Sequence, residues 1–210
     1  SVRKIPMVGE KTYQTLRNLG VRRIQTLQEM PLEMMQSVMG KHGAVIWHKA
    51  QGVDQSPVVP YQERKSISTE RTFAKDTIDV VKLEGIIVAM TENLAYQLRR
   101  GDKLTSCITV KIRYSDFNTH TLQARISYTA ADHLLIPKVK ELFQKLFERR
   151  LLVRLVGVRF SHLVGGGYQM NLFEESEELS KLYSAMDHIR QRFGDRSVLR
   201  AVSLGAKTIG

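Results

Sequence analysis

Basic and hydroxyl side chains alternate with apolar side chains along two neighbouring stretches of the sequence, residues 105–114 and 121–128. This period of two is typical of β-strands that have one buried and one exposed side. The exposed side would carry groups that can contact phosphate oxygens: Thr109, Lys111, Arg113, Gln123 and Arg125. A polar, basic sheet surface of this kind suits a nucleic-acid backbone, which is bound in a salt-dependent way without regard to sequence.

Two helices and two further strands would hold these stretches in place. Strand-like runs cover residues 66–73 and 151–161, and helix-like runs cover residues 76–100 and 132–150. The order β-α-β-β-α-β predicts an α+β fold of the split, ferredoxin-like type, with both helices on one face of a four-stranded sheet. The buried stripes of the helices would be Val80, Leu83, Ile87, Leu94 and Leu98, and Leu135, Val139, Leu142, Phe143 and Leu146.

The uncovered face of this predicted sheet holds few aromatic residues. It is therefore not expected to stack unpaired bases as an RNA-recognition sheet does. Contact with duplex phosphates is the favoured interpretation. A solvated face that is basic but binds nothing is the alternative.

Residues 1–61 predict a small all-α unit. A tight turn over residues 5–12 opens a helix that Gly20 ends, and short helices follow around residues 26–30 and 31–39. The pattern resembles a helix-hairpin-helix, in which backbone N–H groups at a helix N-terminus hold a phosphate oxygen. Its phosphate-binding residues would be Val8, Gly9, Lys11 and Thr12. A helical packing unit without a ligand is the alternative.

The composition narrows the class of protein. The 210 residues carry a formal net charge of +11, which favours a nucleic acid or an anionic membrane surface as partner. No apolar run reaches the roughly 18 residues that a spanning helix needs, and no signal-peptide pattern is present. One cysteine, Cys107, fits a reducing cytoplasm, and with six scattered His it offers no zinc spacing. No metal or cofactor is expected in this chain.

The positive charge is uneven along the chain. Residues 1–61 contain 8 Lys/Arg against 4 Asp/Glu, residues 62–168 contain 18 against 11, and residues 169–210 contain 6 against 6. Glycine, proline and polar residues between positions 51 and 65 are typical of a linker. We therefore predict domains at 1–61 and 62–168, followed by a tail at 169–210. Because the chain begins with Ser1, we expect a fragment or a processed product.

Several segments resemble one family. Residues 47–60, with Trp47, Ala50, Gly52-Val53-Asp54 and Pro60, and residues 64–73, Arg-Lys-Ser-Ile-Ser-Thr-Glu-Arg-Thr-Phe, resemble the thumb-to-little-finger junction of Y-family DNA polymerases of the DinB (polymerase IV) type. Residues 110–117 and 154–159 resemble the second and last strands of the little finger of that family. The resemblance runs from about residue 5 to residue 173.

The resemblance implies a thumb at residues 1–61 and a little finger at residues 62–168, which together hold primer–template duplex. Carried over by position, the phosphate contacts would be Lys65, Ser66, Ser68, Arg71, Lys111, Arg113, Arg154 and Arg159, beside Arg125 on the same predicted surface. The family carries its catalytic carboxylates in a palm that precedes the thumb, and the parent enzyme would use Mg²⁺ there. Asp54 and Asp116 have no carboxylate partner at suitable spacing, so this chain alone is expected not to polymerise.

The tail begins with a short recognition motif. Gln169, Met170, Leu172 and Phe173 match the Gln-x-x-Leu-Phe peptide that docks on the bacterial sliding clamp, with the two apolar side chains filling a pocket. Local packing of Leu172 and Phe173 is the alternative. An amphipathic helix follows, and its apolar stripe could pack on the body, a second copy or a partner. The stripe consists of Leu179, Leu182, Tyr183, Met186, Ile189 and Phe193.

Three functions remain open from the sequence. The first is the DNA-binding part of an active translesion polymerase in the cytoplasm. The second is a catalytically inactive paralogue that acts as a clamp-bound scaffold. The third is an RNA- or ribosome-binding protein with a ferredoxin-like fold. Lesion preference, oligomeric state and the role of the tail helix are not determined by the sequence.

Overall fold

The computed structural model describes residues 1–60, 62–147, 151–165 and 177–204. The chain divides into two compact units, Ser1–Gln62 (unit 1) and Glu63–Gly210 (unit 2). None of the helices in these described ranges combines the length and the apolar character that crossing a bilayer requires.

Unit 1 is helical, as the sequence predicts. A 3-10 turn at Val2–Lys4 is followed by α1 (Glu10–Asn18), α2 (Ile24–Glu29) and α3 (Leu32–Ala50). Gly20 ends α1 in the left-handed region at φ +81°, the conformation that only glycine adopts readily. The core contains Val2, Ile5, Leu16, Val21, Leu27, Met35, Ile46 and Ala50.

Helix α3 is two helical segments joined at a kink, where the sequence predicts only the first. Gly40 has φ +59° and ψ −146°, which a residue with a side chain would adopt only under strain. After the kink, Gly43 lies so close to the first segment that a Cβ there would be 2.2 Å from the Met35 carbonyl oxygen. The Trp47 indole N–H donates to the Met30 carbonyl oxygen at 2.8 Å and ties the second segment to the end of α2.

Unit 2 has the predicted β-α-β-β-α-β order. The elements are β1 (Ser66–Thr77), α4 (Val80–Arg100), β2 (Lys103–Tyr114), β3 (Thr119–Thr129), α5 (Asp132–Leu146) and β4 (Val153–Ser161). A short β5 (Val164–Gly165) pairs with the start of β2. Helix α4 begins at Val80 rather than Asp76 because β1 continues to Thr77 and the Asp79 carboxylate caps the helix by accepting from the Lys82 amide at 3.0 Å.

The strands are arranged in the order β1-β4-β2-β3, and every pairing is antiparallel. Each helix therefore connects two parallel strands that have one strand between them, β4 within β1-α4-β2 and β2 within β3-α5-β4. This arrangement confirms the predicted split α+β fold. It also places β4, the last long strand, beside β1, the first.

Helices α4 and α5 cover one face of the sheet. Their buried side chains include Leu83, Ile87, Leu94 and Leu98, and Leu135, Val139, Leu142 and Phe143, which pack on Ile108, Val110, Ile112, Val156, Val158 and Phe160. Two residues that the sequence predicts to be buried in these stripes are less buried in the structure. Val80 is exposed because it is the first residue of α4, and Leu146, at the end of α5, is only partly buried.

The tail helix α6 (Glu177–Phe193) docks on this layer through an ion pair and through one residue of its apolar stripe, the buried Tyr183. The Arg99 side chain of α4 donates to both oxygens of Asp187, at 2.6 and 3.0 Å, and Tyr183 is stacked on His133 of α5. Leu182, Ile189 and Phe193, by contrast, are exposed. A 3-10 turn at Ala201–Ser203 then packs on α4.

Candidate nucleic-acid interface

The sheet face opposite α4 and α5 is called the open face here. It is defined by four rows of directly opposed residues, because opposed residues in antiparallel strands point to the same side. From β1 through β4 and β2 to β3, the rows are Ser66, Ser161, Cys107 and Arg125; Ser68, Arg159, Thr109 and Gln123; Glu70, Gly157, Lys111 and Thr121; and Thr72, Leu155, Arg113 and Thr119.

Each row of the open face carries one cation: Arg125, Arg159, Lys111 and Arg113 in turn. Successive rows are two residues apart along the strands, which corresponds to about 7 Å, so the four cations span about 20 Å. Glu70 is the one carboxylate among the sixteen positions, and no position is aromatic. The open face therefore presents a line of positive charge set among small hydroxyl and amide side chains, which suits a line of phosphates.

Local contacts orient two of these cations. The Arg113 Nε–H donates to the Thr119 hydroxyl of its own row at 2.8 Å. The Lys111 ammonium forms a close ion pair with the Glu70 carboxylate two strands away. Arg125 and Arg159 are exposed.

Six of the predicted phosphate-contacting residues meet on the open face: Ser66, Ser68, Lys111, Arg113, Arg125 and Arg159. Lys65 directly precedes β1 and is exposed beside this surface. The two serines lie on the edge strand β1. Arg159 lies on β4, Arg125 on β3, and Lys111 and Arg113 on β2.

Arg71 is placed on the other face of the sheet. It is opposite Val156 in the register, and its guanidinium lies 5.9 Å from the Phe73 ring centroid on the side that the helices cover. Arg71 is an odd number of residues away from Ser68, Glu70 and Thr72 on the same strand, so its side chain points to the opposite face. The sequence predicts this placement, because Arg71 is an even number of residues away from the apolar Ile67 and Phe73 and therefore shares their face.

Arg154 is also separate from the rows. It directly precedes Leu155, which belongs to the fourth row, and so its side chain leaves the strand on the opposite side. The guanidinium lies 4.7 Å from the Phe117 ring centroid and 3.6 Å from an Asp76 carboxylate oxygen, at the end of the sheet.

The predicted phosphate-binding hairpin of unit 1 lies at the start of α1. Gly9 is the N-cap residue and has no side chain with which to cap the helix, so Lys11 and Thr12 lie in a first turn whose N–H groups are left without intrahelical acceptors. A Cβ on Gly9 would meet nothing within 4 Å, so the approach to this turn is open. Val8 packs at the edge of the unit 1 core.

The predicted clamp-binding residues Gln169, Met170, Leu172 and Phe173 lie outside the described residues. Their assignments stay predictions from the sequence. The helix predicted to reach residue 150 ends at Leu146, where the Phe147 N–H donates to the Phe143 carbonyl oxygen, and residues 148–150 lie outside the described residues.

The helix side of unit 2 contains a buried charged cluster that the sequence does not reveal. Arg99 Nη1 donates to an Asp132 oxygen at 2.7 Å and to the Ala130 carbonyl at 2.8 Å, in addition to its two bonds to Asp187. Burial alone would lower the pKa of Arg99, but Asp187 and Asp132 outweigh it and raise that pKa above its ordinary value. Only the folding of α6 onto α4 and α5 brings these groups together.

Glu92 of α4 belongs to the same cluster. One carboxylate oxygen accepts from the Ser203 hydroxyl at 2.6 Å, and the other lies 3.0 Å from Arg200 Nε. Burial raises the pKa of Glu92, although the Ser203 hydrogen bond and the Arg200 charge act in the opposite direction. The cluster contains no metal-site geometry: in the part of the chain that the structure describes, no three His, Cys, Asp or Glu side chains are arranged to hold a metal ion.

The described residues thus form an α+β domain with helices on one face of an antiparallel sheet and a line of cations on the other, preceded in sequence by a helical unit. The model of the impB/mucB/samB family C-terminal domain matches residues 64–172, and the model described as DNA polymerase-iota, thumb domain, matches residues 3–54. The chain belongs to this family, the Y-family DNA polymerases.

The chain is similar to proteins named DNA polymerase IV. It is 33% identical over 202 residues to that of Dehalococcoides mccartyi, covering 92% of this chain and 50% of the relative. It is 30% identical over 203 residues to that of Clostridium acetobutylicum, covering 94% and 51%. The DNA polymerase IV 2 of Methanosarcina mazei is 34% identical over 162 residues, covering 77% and 44%. The chain thus spans about half the length of these relatives.

Proposed function

We propose that this chain is the DNA-gripping part of a DNA-directed DNA polymerase that acts in translesion synthesis and DNA repair. Unit 1 serves as the thumb, and the sheet of unit 2 serves as the little finger. Both hold primer–template duplex through its phosphates. The observation that carries the proposal is the line of four cations, one in each row of the open face, in a chain that belongs to the Y-family.

A phosphate-based grip fits synthesis past damaged bases. Phosphate contacts set the position of a duplex but carry no sequence information, so they do not depend on the chemistry of the base. The open face lacks aromatic side chains that could stack bases, and most of its side chains are cations and hydroxyls. A template base with an altered structure would leave these contacts unchanged.

Phosphoryl transfer is assigned by this proposal to a palm with paired carboxylates and Mg²⁺, as in the family that the sequence resembles. The residues described here would bind and position the duplex for that chemistry. The protein would act in the cytoplasm together with the chromosome.

The proposal is tested by fluorescence anisotropy of the chain with labelled primer–template DNA over a range of salt concentrations. The logarithm of the binding constant should fall linearly with the logarithm of salt concentration, with a slope of about −3 to −4 from the open face alone. Unlabelled single-stranded DNA and duplex RNA should compete less well than duplex DNA. Absence of duplex binding at low salt, or a preference for RNA, would overturn the proposal in favour of an RNA-binding protein.

Recruitment to the sliding clamp is the second part of the proposal. Its support is the Gln-x-x-Leu-Phe motif at Gln169, Leu172 and Phe173, followed in sequence by a helix that is anchored on unit 2. Changing Leu172 and Phe173 together to Ala should abolish binding to a bacterial sliding clamp in a pull-down or surface plasmon resonance assay, because the pocket would lose both apolar side chains. Duplex affinity should be unchanged. Clamp binding by this double variant at the affinity of the original chain would contradict the assignment.

A further inference from the structure

The third row of the open face contains an anion at its edge and a cation in its interior. Glu70 lies on β1, Gly157 on β4 and Lys111 on β2, directly opposite one another. The Glu70 carboxylate forms a close ion pair with the Lys111 ammonium, so the side chains of β1 and β2 meet over β4. Neighbouring strands are about 4.8 Å apart, which makes this a span of nearly 10 Å between the two backbones.

Gly157 makes this span possible. A Cβ at position 157 would lie 2.7 Å from Glu70 Cγ and 3.4 Å from Glu70 Cβ, both closer than or at the limit of ordinary contact. The Glu70 side chain therefore lies across the bare backbone of Gly157. Glycine weakens a strand, and in a strand interior it often marks a close approach of this kind. Here the approaching group is a carboxylate from the same face.

The ion pair lies in the middle of the line of cations. Lys111 occupies the third of the four rows, between Arg159 in the second row and Arg113 in the fourth. Both partners are partly exposed, at 33% of the Lys111 side chain and 41% of the Glu70 side chain, so a phosphate can reach the pair. An exposed ion pair is weak enough to exchange with another anion.

We propose that Glu70 is a built-in competitor for DNA phosphate that holds Lys111 in the free protein and lowers the affinity of the open face for duplex. The inference rests on the proposed DNA-binding function. A phosphate that approaches the third row must displace the Glu70 carboxylate from Lys111 and meets the repulsion of that carboxylate as well. The open face consequently binds duplex with lower affinity than four unopposed cations would, and this affinity depends less steeply on salt concentration.

The test compares Glu70→Gln with Glu141→Gln in the salt-titrated anisotropy assay. Glutamine keeps the shape of Glu70 over Gly157 but removes its charge. Glu141 is the matched control, because it is also paired with lysines, Lys138 and Lys145, but lies on α5, on the other side of the sheet. Both variants raise the net charge of the chain by one, so any difference between them is due to the position of the charge.

Glu70→Gln should bind duplex more tightly and steepen the salt slope by about one unit, the change expected for one further phosphate contact. The ratio of its duplex affinity to that of the original chain should therefore fall about threefold between 50 and 200 mM salt. Glu141→Gln should leave affinity and slope unchanged. Thermal unfolding should show that both variants stay folded, since Glu70 takes part in one partly exposed ion pair and Glu141 in two.

Three other results would overturn the inference. If the original chain binds duplex but Glu70→Gln binds equally or more weakly, Glu70 is not a competitor, and the proposed DNA-binding function stands without it. If Glu141→Gln gains as much affinity as Glu70→Gln, total charge rather than the third row is responsible. If the original chain shows no salt-dependent duplex binding, the inference fails together with the proposed function.

Discussion

On the helix-covered side of unit 2, Arg99 is enclosed by the carboxylates of Asp132 and Asp187, and Arg200 and Arg190 add further pairing. The open face has four cations and one carboxylate, Glu70, which is paired with Lys111 alone among them. Both sides contain arginine, but the arginines of the buried cluster are paired with carboxylates, whereas Arg125 and Arg159 of the open face are exposed. The overall charge of +11 therefore does not locate the binding surface. The proposed binding surface follows instead from the excess of cations over carboxylates on the open face.

The largest expected effect comes from breaking the enclosed side. Arg99→Ala would leave the fully buried Asp132 and the nearly buried Asp187 without their main partner, so unit 2 should lose about 3 kcal/mol of unfolding free energy. Arg100→Ala, at the exposed neighbouring position, should cost less than about 1 kcal/mol. Chemical denaturation measures both. A loss below about 1 kcal/mol for Arg99→Ala would show that the remaining arginines satisfy the two carboxylates.

The comparison is sharpened by two arginines on opposite faces of the same sheet. Arg159→Ala on the open face should lower the magnitude of the salt slope for duplex binding by about one unit, because one phosphate contact is lost. Arg71→Ala, whose side chain lies beside Phe73 on the helix-covered face, should leave that slope unchanged. Equal losses of slope in the two variants would break the assignment of binding to the open face.

A smaller effect should appear in the pH dependence of stability. Because burial raises the pKa of Glu92 above its ordinary value of 4.5, the folded state binds this proton more tightly than the unfolded state. The stabilising contribution is fully present below about pH 4.5 and is lost as the pH rises through the higher folded pKa. Denaturation from pH 4.5 to 7.5 should therefore show the original chain losing stability relative to Glu92→Gln.

Glu84, on the same helix, should change stability with pH in the opposite direction to Glu92. Its hydrogen bond with Lys140 lowers its pKa, so its contribution is present above pH 4.5 and is lost as the pH falls through the lower folded pKa. The Glu84→Gln variant should lack that acid-side loss and keep the Glu92 behaviour. Parallel stability curves for the original chain and Glu92→Gln would contradict the assigned pKa shift.

Much of unit 2 could be predicted from the sequence because its patterns are local. Alternation along residues 105–114 and 121–128 determines which side chains of β2 and β3 share a face, and it predicts that Lys111, Arg113 and Arg125 lie on the exposed face. The stripes of α4 and α5 likewise follow from helical periodicity. The same rule predicts that Arg71 shares the helix-covered face with Ile67 and Phe73, whereas the resemblance to the family carries no information about the face.

The sequence by itself determined the order of elements, the basic character of one sheet face and membership of the family. Only the tertiary structure decided which strands are neighbours, since strand order and register depend on packing between distant segments rather than on local pattern. By placing β4 between β1 and β2, the fold puts Arg159 beside Thr109 and lets Glu70 reach Lys111 over Gly157. It likewise brings Asp187 of α6 to Arg99 of α4, because a buried carboxylate requires a cation, and here that cation comes from a distant helix.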